Sequence, residues 1–131
     1  MKIRFMVCAA LAASLFFACA GVPKVIPQDL TAREIVQRAQ EATDAYNYHA
    51  AIAYYEALGE RFGSDPLYKT TADYEIAFIA FKQDRYAAAK EGFEALLALY
   101  AGPEGSTLPP RYAVLAKKVL ESMAEMTKTK K

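Results

Sequence analysis

Three sets of side chains in this sequence have types and spacings that could do chemistry. They are the two cysteines, Cys8 and Cys19, the single histidine, His49, and a run of aromatic residues, Tyr74, Phe78 and Phe81. A thiol can bind metal, form a disulfide or take an acyl group. One His and two Cys are too few for most His/Cys metal sites, and they leave a His-dependent triad without its parts. His49 follows Tyr48 at a helix start, with no second His or Cys within reach, and reads as an exposed or capping imidazole. Asp44, Glu56 and Glu60 fall at helical spacing on solvent faces, and no carboxylate pair is set apart by its surroundings. No Gly-rich phosphate loop and no nucleophile elbow is present. The chain reads as non-enzymatic, with no cofactor and no metal.

The aromatic set points to recognition. Tyr74, Phe78 and Phe81 recur at i, i+4 and i+7, which puts three rings on one stripe of a helix. They are offset from Ile76, Ala77 and Ala80, which should pack inward, so the helix is apolar on more than one side. Either it is central and buried all round, or it presents an aromatic groove whose rings anchor a partner.

These residues need a scaffold, and the chain allows only a small one. Its 131 residues suit a single domain, and 16 Lys+Arg against 15 Asp+Glu give no basic excess for nucleic acid. Gly21 to Gln28, with Pro23 and Pro27, reads as a short extended tether. Thr31-Ala32-Arg33-Glu34 is a capping box, and Leu30 and Ile35 stand where a hydrophobic staple would close across it. Ile35, Ala39, Ala42 and Tyr46 continue the first helix. A second is predicted from about Tyr48 to Phe62, stopped at Gly63, and Ser64-Asp65-Pro66 opens a third from about Leu67 to Gln83. The fourth covers about Tyr86 to Tyr100, and the fifth starts at Pro110 and runs to about Met126. No segment alternates like a strand, so the fold class is all-α.

The N-terminus is a different kind of segment. Met1 to Arg4 carries two positive charges, and Phe5 to Ala18 is an apolar run of 14 residues. That is short of the roughly 20 a spanning helix needs but fits the core of a secretory signal. The run ends in Leu15-Phe16-Phe17-Ala18-Cys19-Ala20-Gly21. This resembles a bacterial lipoprotein signal, with Phe16 where Leu is usual, a relaxation that resembles spirochaete lipoproteins. The resemblance implies a signal at 1–18, a lipidated Cys19 and tether at 19–30, and attachment to the outer membrane facing the periplasm. Cleavage after Ala20, giving a soluble periplasmic protein, satisfies the small-x-small rule as well. Loss of Lys2 and Arg4 with the signal would leave 14 basic and 15 acidic side chains.

An internal repeat organises the rest. Tyr48-His49-Ala50-Ala51-Ile52-Ala53-Tyr54-Tyr55-Glu56-Ala57-Leu58 aligns without a gap on Tyr86-Ala87-Ala88-Ala89-Lys90-Glu91-Gly92-Phe93-Glu94-Ala95-Leu96, at an offset of 38. This resembles a tetratricopeptide (TPR) repeat pair, whose period is about 34. The resemblance covers about Thr31 to Tyr100 and is nearest to the TPR lipoprotein of the outer-membrane β-barrel assembly machinery and its envelope relatives. Arg38 stands where Leu is usual, and Tyr46 stands at the usual turn Gly. The expected architecture is two helical hairpins, with the domain spanning 31–127 and the fifth helix as a cap. The resemblance also implies that the first helix of each hairpin faces a partner. Those faces carry Arg33, Val36, Gln40 and Thr43, then Tyr74, Phe78, Phe81 and Lys82. Among them Arg33, Gln40, Tyr74, Phe78, Phe81 and Lys82 are the expected partner-binding residues.

The function this implies is a lipid-anchored adaptor for another envelope protein. The alternative is an accessory lipoprotein of solute uptake, its aromatic helix lining a pocket for a small hydrophobic ligand; a structural spacer is a third reading. The first helix has no partner on its outer side, which points to docking or self-association there. The basic end, 128–131, reads as a solvated tail or a contact for anionic headgroups or an acidic partner.

Overall fold

The computed structural model describes residues 21–129. The expected signal, Cys19 and the last two lysines lie outside the described residues. Five helices follow one another: α1 (Ala32–Asp44), α2 (Tyr48–Phe62), α3 (Pro66–Lys82), α4 (Tyr86–Ala101) and α5 (Pro110–Thr129), with a 3-10 turn at Gly105–Thr107 before α5. Among the described residues there is no strand, and no helix is long and apolar enough to cross a membrane.

Each helix start has a local cause. The Glu34 amide donates to the Thr31 hydroxyl at 3.3 Å, and the Thr31 amide donates to the Glu34 carboxylate at 2.8 Å. Both expected halves of the capping box are therefore closed. The Thr31 hydroxyl also donates to this carboxylate at 2.6 Å, and it chiefly holds the carboxyl below its usual range. Leu30 and Ile35, the staple pair, are both buried in one core cluster. Asn47 caps α2, and Asp65 caps α3 by accepting from the Leu67 amide at 2.8 Å. Pro66 belongs to α3, one residue before its expected start, because a first-turn residue needs no amide hydrogen. Helix α5 runs past Met126 to Thr129, so Lys128 is helical rather than part of a tail.

The 38-residue offset reappears in the backbone. In the turn between α1 and α2, the Asn47 amide donates to the Ala42 carbonyl at 2.8 Å and the Tyr46 amide donates to that of Thr43 at 3.0 Å. Between α3 and α4, Arg85 donates to Ala80 at 2.9 Å and Asp84 to Phe81 at 3.1 Å, the same bonds 38 residues on. Both turns need one residue at positive φ, Tyr46 (56°) and Asp84 (58°). Asp tolerates that region, but a tyrosine is strained in it. Tyr46 is also largely exposed, with little beyond an edge contact to Tyr48 to lose. Tyr46→Gly is thus expected to raise stability by roughly 0.5–1 kcal/mol, and Asp84→Gly by less. Thermal melts of the two variants check this.

The helices pack in adjacent pairs, α1 on α2, α2 on α3 and α3 on α4, and α5 lies on α4 and touches α3. Two core clusters result. Ile35, Ala39, Tyr55, Leu58, Ala72 and Ile79 belong to the first, and Tyr74, Ala77, Phe93, Leu96, Tyr112 and Ala116 to the second. Helix α3 supplies residues to both, so it is the central helix, apolar on more than one side because it is covered on more than one side.

The tether is not wholly free. Arg61 of α2 donates to the carbonyls of Pro27 at 2.7 Å and Ile26 at 2.8 Å, and Ile26 packs on the first core cluster beside Leu30. Residues 26–30 therefore belong to the helical domain. They cover part of the first hairpin, which the sequence had left without a neighbour.

Candidate functional site

Alternate helices build one site. Val36 and Gln40 of α1, Leu67, Tyr68, Thr71, Tyr74 and Glu75 of α3, and Arg111, Tyr112 and Leu115 of α5 line a cavity of about 370 Å³. Its floor is a directed chain of hydrogen bonds. The Arg111 guanidinium donates to the Tyr112 hydroxyl at 2.6 Å, and the Thr71 hydroxyl donates to the Leu67 carbonyl at 2.7 Å. The 2.7 Å contact between the Tyr112 and Thr71 oxygens is then donated by Tyr112, since Thr71 has spent its only proton. Arg111 also lies over its neighbour's ring, 4.5 Å from the centroid. Thr71 and Tyr112, the buried members of this chain, have their hydroxyls bonded to one another, which holds the floor's geometry in place.

Tyr74 shows why the aromatic stripe did not stay free. Its ring lies 5.6 Å from Phe93, 5.4 Å from Tyr112 and 5.7 Å from Phe78, and the residue is 6% exposed. Burial first, then the charge of Glu75, pushes its hydroxyl up to about 12. Tyr74 is thus a core residue with an edge in the groove, which corrects its expected role as an anchor. Phe78 and Phe81 stack on one another, and both pack on the second core cluster. Neither lines the groove cavity. Lys82 is exposed and sits over the Phe78 ring at 5.3 Å. Arg33 is exposed and outside the lining, and Thr43 bonds back to the Ala39 carbonyl at 2.9 Å. Of the six expected partner-binding residues, the structure brings Gln40 and Tyr74 together in the groove and leaves the other four outside it.

Glu75, Arg111 and Leu115 were not singled out from the sequence. The signal for Glu75 was a carboxylate inside an apolar stretch; α5 was read only as a cap. Glu75 is half-buried, and burial raises its carboxyl, opposed by the charges of Lys82 and Arg111. A raised folded-state value means the fold prefers the protonated acid, so stability is present at low pH and is lost as pH rises through that value. Glu75→Gln is expected to raise the melting temperature near pH 7. The gain should vanish below about pH 4, where the wild-type carboxyl is protonated folded and unfolded. Melts across this range check the sign.

A second cavity, of about 580 Å³, lies between α4 and α5 and is lined by Tyr86, Ala87, Lys90, Glu94, Leu120, Met123 and Lys128 among others. It joins only two helices, and two of its lining charges, Lys90 and Glu94, pair with one another at 3.5 Å. Among the described residues no group of His, Cys, Asp and Glu is arranged to hold a metal ion.

No family model matches the chain, and no solved structure matches it. An uncharacterized protein of Treponema pallidum (strain Nichols) is similar, 31% identical over 106 residues, which is 79% of this chain. The chain spans 42% of that relative's length.

Proposed function

We propose that this chain is a TPR-type adaptor, held at the bacterial envelope through a lipid on Cys19, that seats a segment of another envelope protein in its groove. The observation that carries this reading is the groove itself. Three alternate helices supply its walls, and it has a buried hydrogen-bonded floor and an apolar rim. Leu67 and Leu115 on that rim are each 40% exposed, and large apolar side chains beside a rigid polar floor suit peptide recognition. The recurrence of the α1–α2 turn 38 residues later supports the repeat reading. The relaxed lipidation signal supports the envelope reading. With residues 26–30 held on the domain, only a few residues separate Cys19 from the fold, so the adaptor would work close to the bilayer.

Two substitutions one residue apart test the groove. Leu115 lines it, whereas Val114, 56% exposed, does not. After formaldehyde crosslinking of intact cells, an immunoblot should show a shifted complex for wild type and Val114→Arg and none for Leu115→Arg. A complex that survives Leu115→Arg contradicts the reading. Anchoring is tested separately: Cys19→Ser should move the protein from the membrane pellet to the soluble fraction.

A further inference from the structure

The groove's charges specify what kind of segment it takes. Arg111 is exposed and already engaged by the ring and hydroxyl of Tyr112, and Lys82 is exposed and over the ring of Phe78. Glu75 is different. Among the described residues the ion pairs are Lys69–Asp73 and Lys90–Glu94, and Glu75 has no hydrogen bond or ion pair of its own. It is also half-buried among apolar walls, and burial raises its carboxyl. An exposed cation gains little from a partner, because water already solvates it. A partly desolvated carboxylate gains much more, because it recovers what burial removed. Glu75 feels the charges of Lys82, outside the groove, and of Arg111, but bonds to neither, and it is the partly buried charge here without a bonded partner.

Resting on the groove reading above, we propose that the bound segment presents a Lys or Arg side chain to Glu75. Its charged end meets the carboxylate, and its methylene stem covers Leu67, Tyr68 and Leu115. The occupant is therefore an apolar peptide segment with one basic residue, rather than an acidic one. Arg111 stands beside the site as a like charge that weakens this ligand and repels a second cation.

The test uses the whole protein, immobilised, and three pools of nine-residue peptides. Their flanks are randomised, and the central residue is fixed as Arg, as citrulline (its neutral isostere) or as Glu; retention is read by mass spectrometry. The Arg pool should be retained about tenfold or more over the citrulline pool, as expected for a partly buried charge pair. Glu75→Gln should bring that ratio to near one, and Arg111→Gln should raise it; circular dichroism confirms that both variants are folded. Equal retention of the Arg and citrulline pools, preferred retention of the Glu pool, or an Arg preference that survives Glu75→Gln overturns the inference. Leu115→Arg separates the two levels. If it lowers retention of all pools while no Arg preference exists, only the charge inference fails. If it changes nothing, or no pool is retained, the groove reading falls and this inference with it.

Discussion

Phe93→Ala is expected to cost about 3–5 kcal/mol, the usual range for deleting a fully buried ring. Phe93 has no exposed surface, and its neighbours in the second core cluster include Tyr74, Leu96 and Tyr112, drawn from α3, α4 and α5. Removing the ring takes away its transfer energy and leaves a cavity that three helices must collapse together to fill. A domain of this size is stable by only about 5–15 kcal/mol, so the variant should be near the edge of folding at 37 °C. In urea the midpoint should fall while the slope is unchanged, since the surface exposed on unfolding is nearly the same. Leu99→Ala is the control: Leu99 is 40% exposed on the same helix, and its loss should cost only about 1 kcal/mol. Similar midpoints for the two variants would mean that the second core cluster is not packed as described.

Gly92→Ala is a sharper test, because two principles give opposite signs. Within a helix, alanine is favoured over glycine by about 1 kcal/mol, so intrinsic propensity predicts a gain. Packing predicts a loss. A Cβ on Gly92 of α4 would lie 2.8 Å from the Cβ of Ala77 and 3.5 Å from its Cα on α3. The obstacle is anchored to backbone and cannot rotate away, so the two helices would have to move apart. A net destabilisation of about 1–3 kcal/mol is expected, as for overpacking a well-filled core. Ala77→Gly in the Gly92→Ala background restores the space, and the double-mutant cycle should show coupling of about 1 kcal/mol or more. A stabilised Gly92→Ala would place α3 and α4 further apart than they are here.

Much of the scaffold was legible because its signals are local. The Thr31–Glu34 box and the Leu30–Ile35 staple involve residues at most five apart; the box closed as read, and Leu30 and Ile35 are buried in one core cluster. Helix α2 begins at Tyr48 and ends at Phe62 as its apolar spacing predicted, and α4 needed one more residue at its end. The all-helical class followed from the same periodicity. The site was less legible because its determinants are distant in sequence. That α3 is apolar on more than one side was visible, but which rings remain free depends on where α4 and α5 arrive. Phe93 and Tyr112 reach Tyr74 from those two helices and bury it. The hold of Arg61 on the carbonyls of Ile26 and Pro27 spans 34 and 35 residues and has no sequence signature. Arg111 and Leu115 acquire meaning only because α5 comes to the side of α3 that faces Gln40.

A partner protein is expected to meet the face shared by α1, α3 and α5. Site-specific photocrosslinking in intact cells tests it most directly, with a benzophenone amino acid placed in turn at Gln40, Leu115, Val114 and Leu99. The groove positions Gln40 and Leu115 should each give a crosslinked partner, and Val114 and Leu99, which are exposed outside the groove, should give none. Crosslinks at Val114 or Leu99 with silence at Gln40 and Leu115 would place the partner on another face.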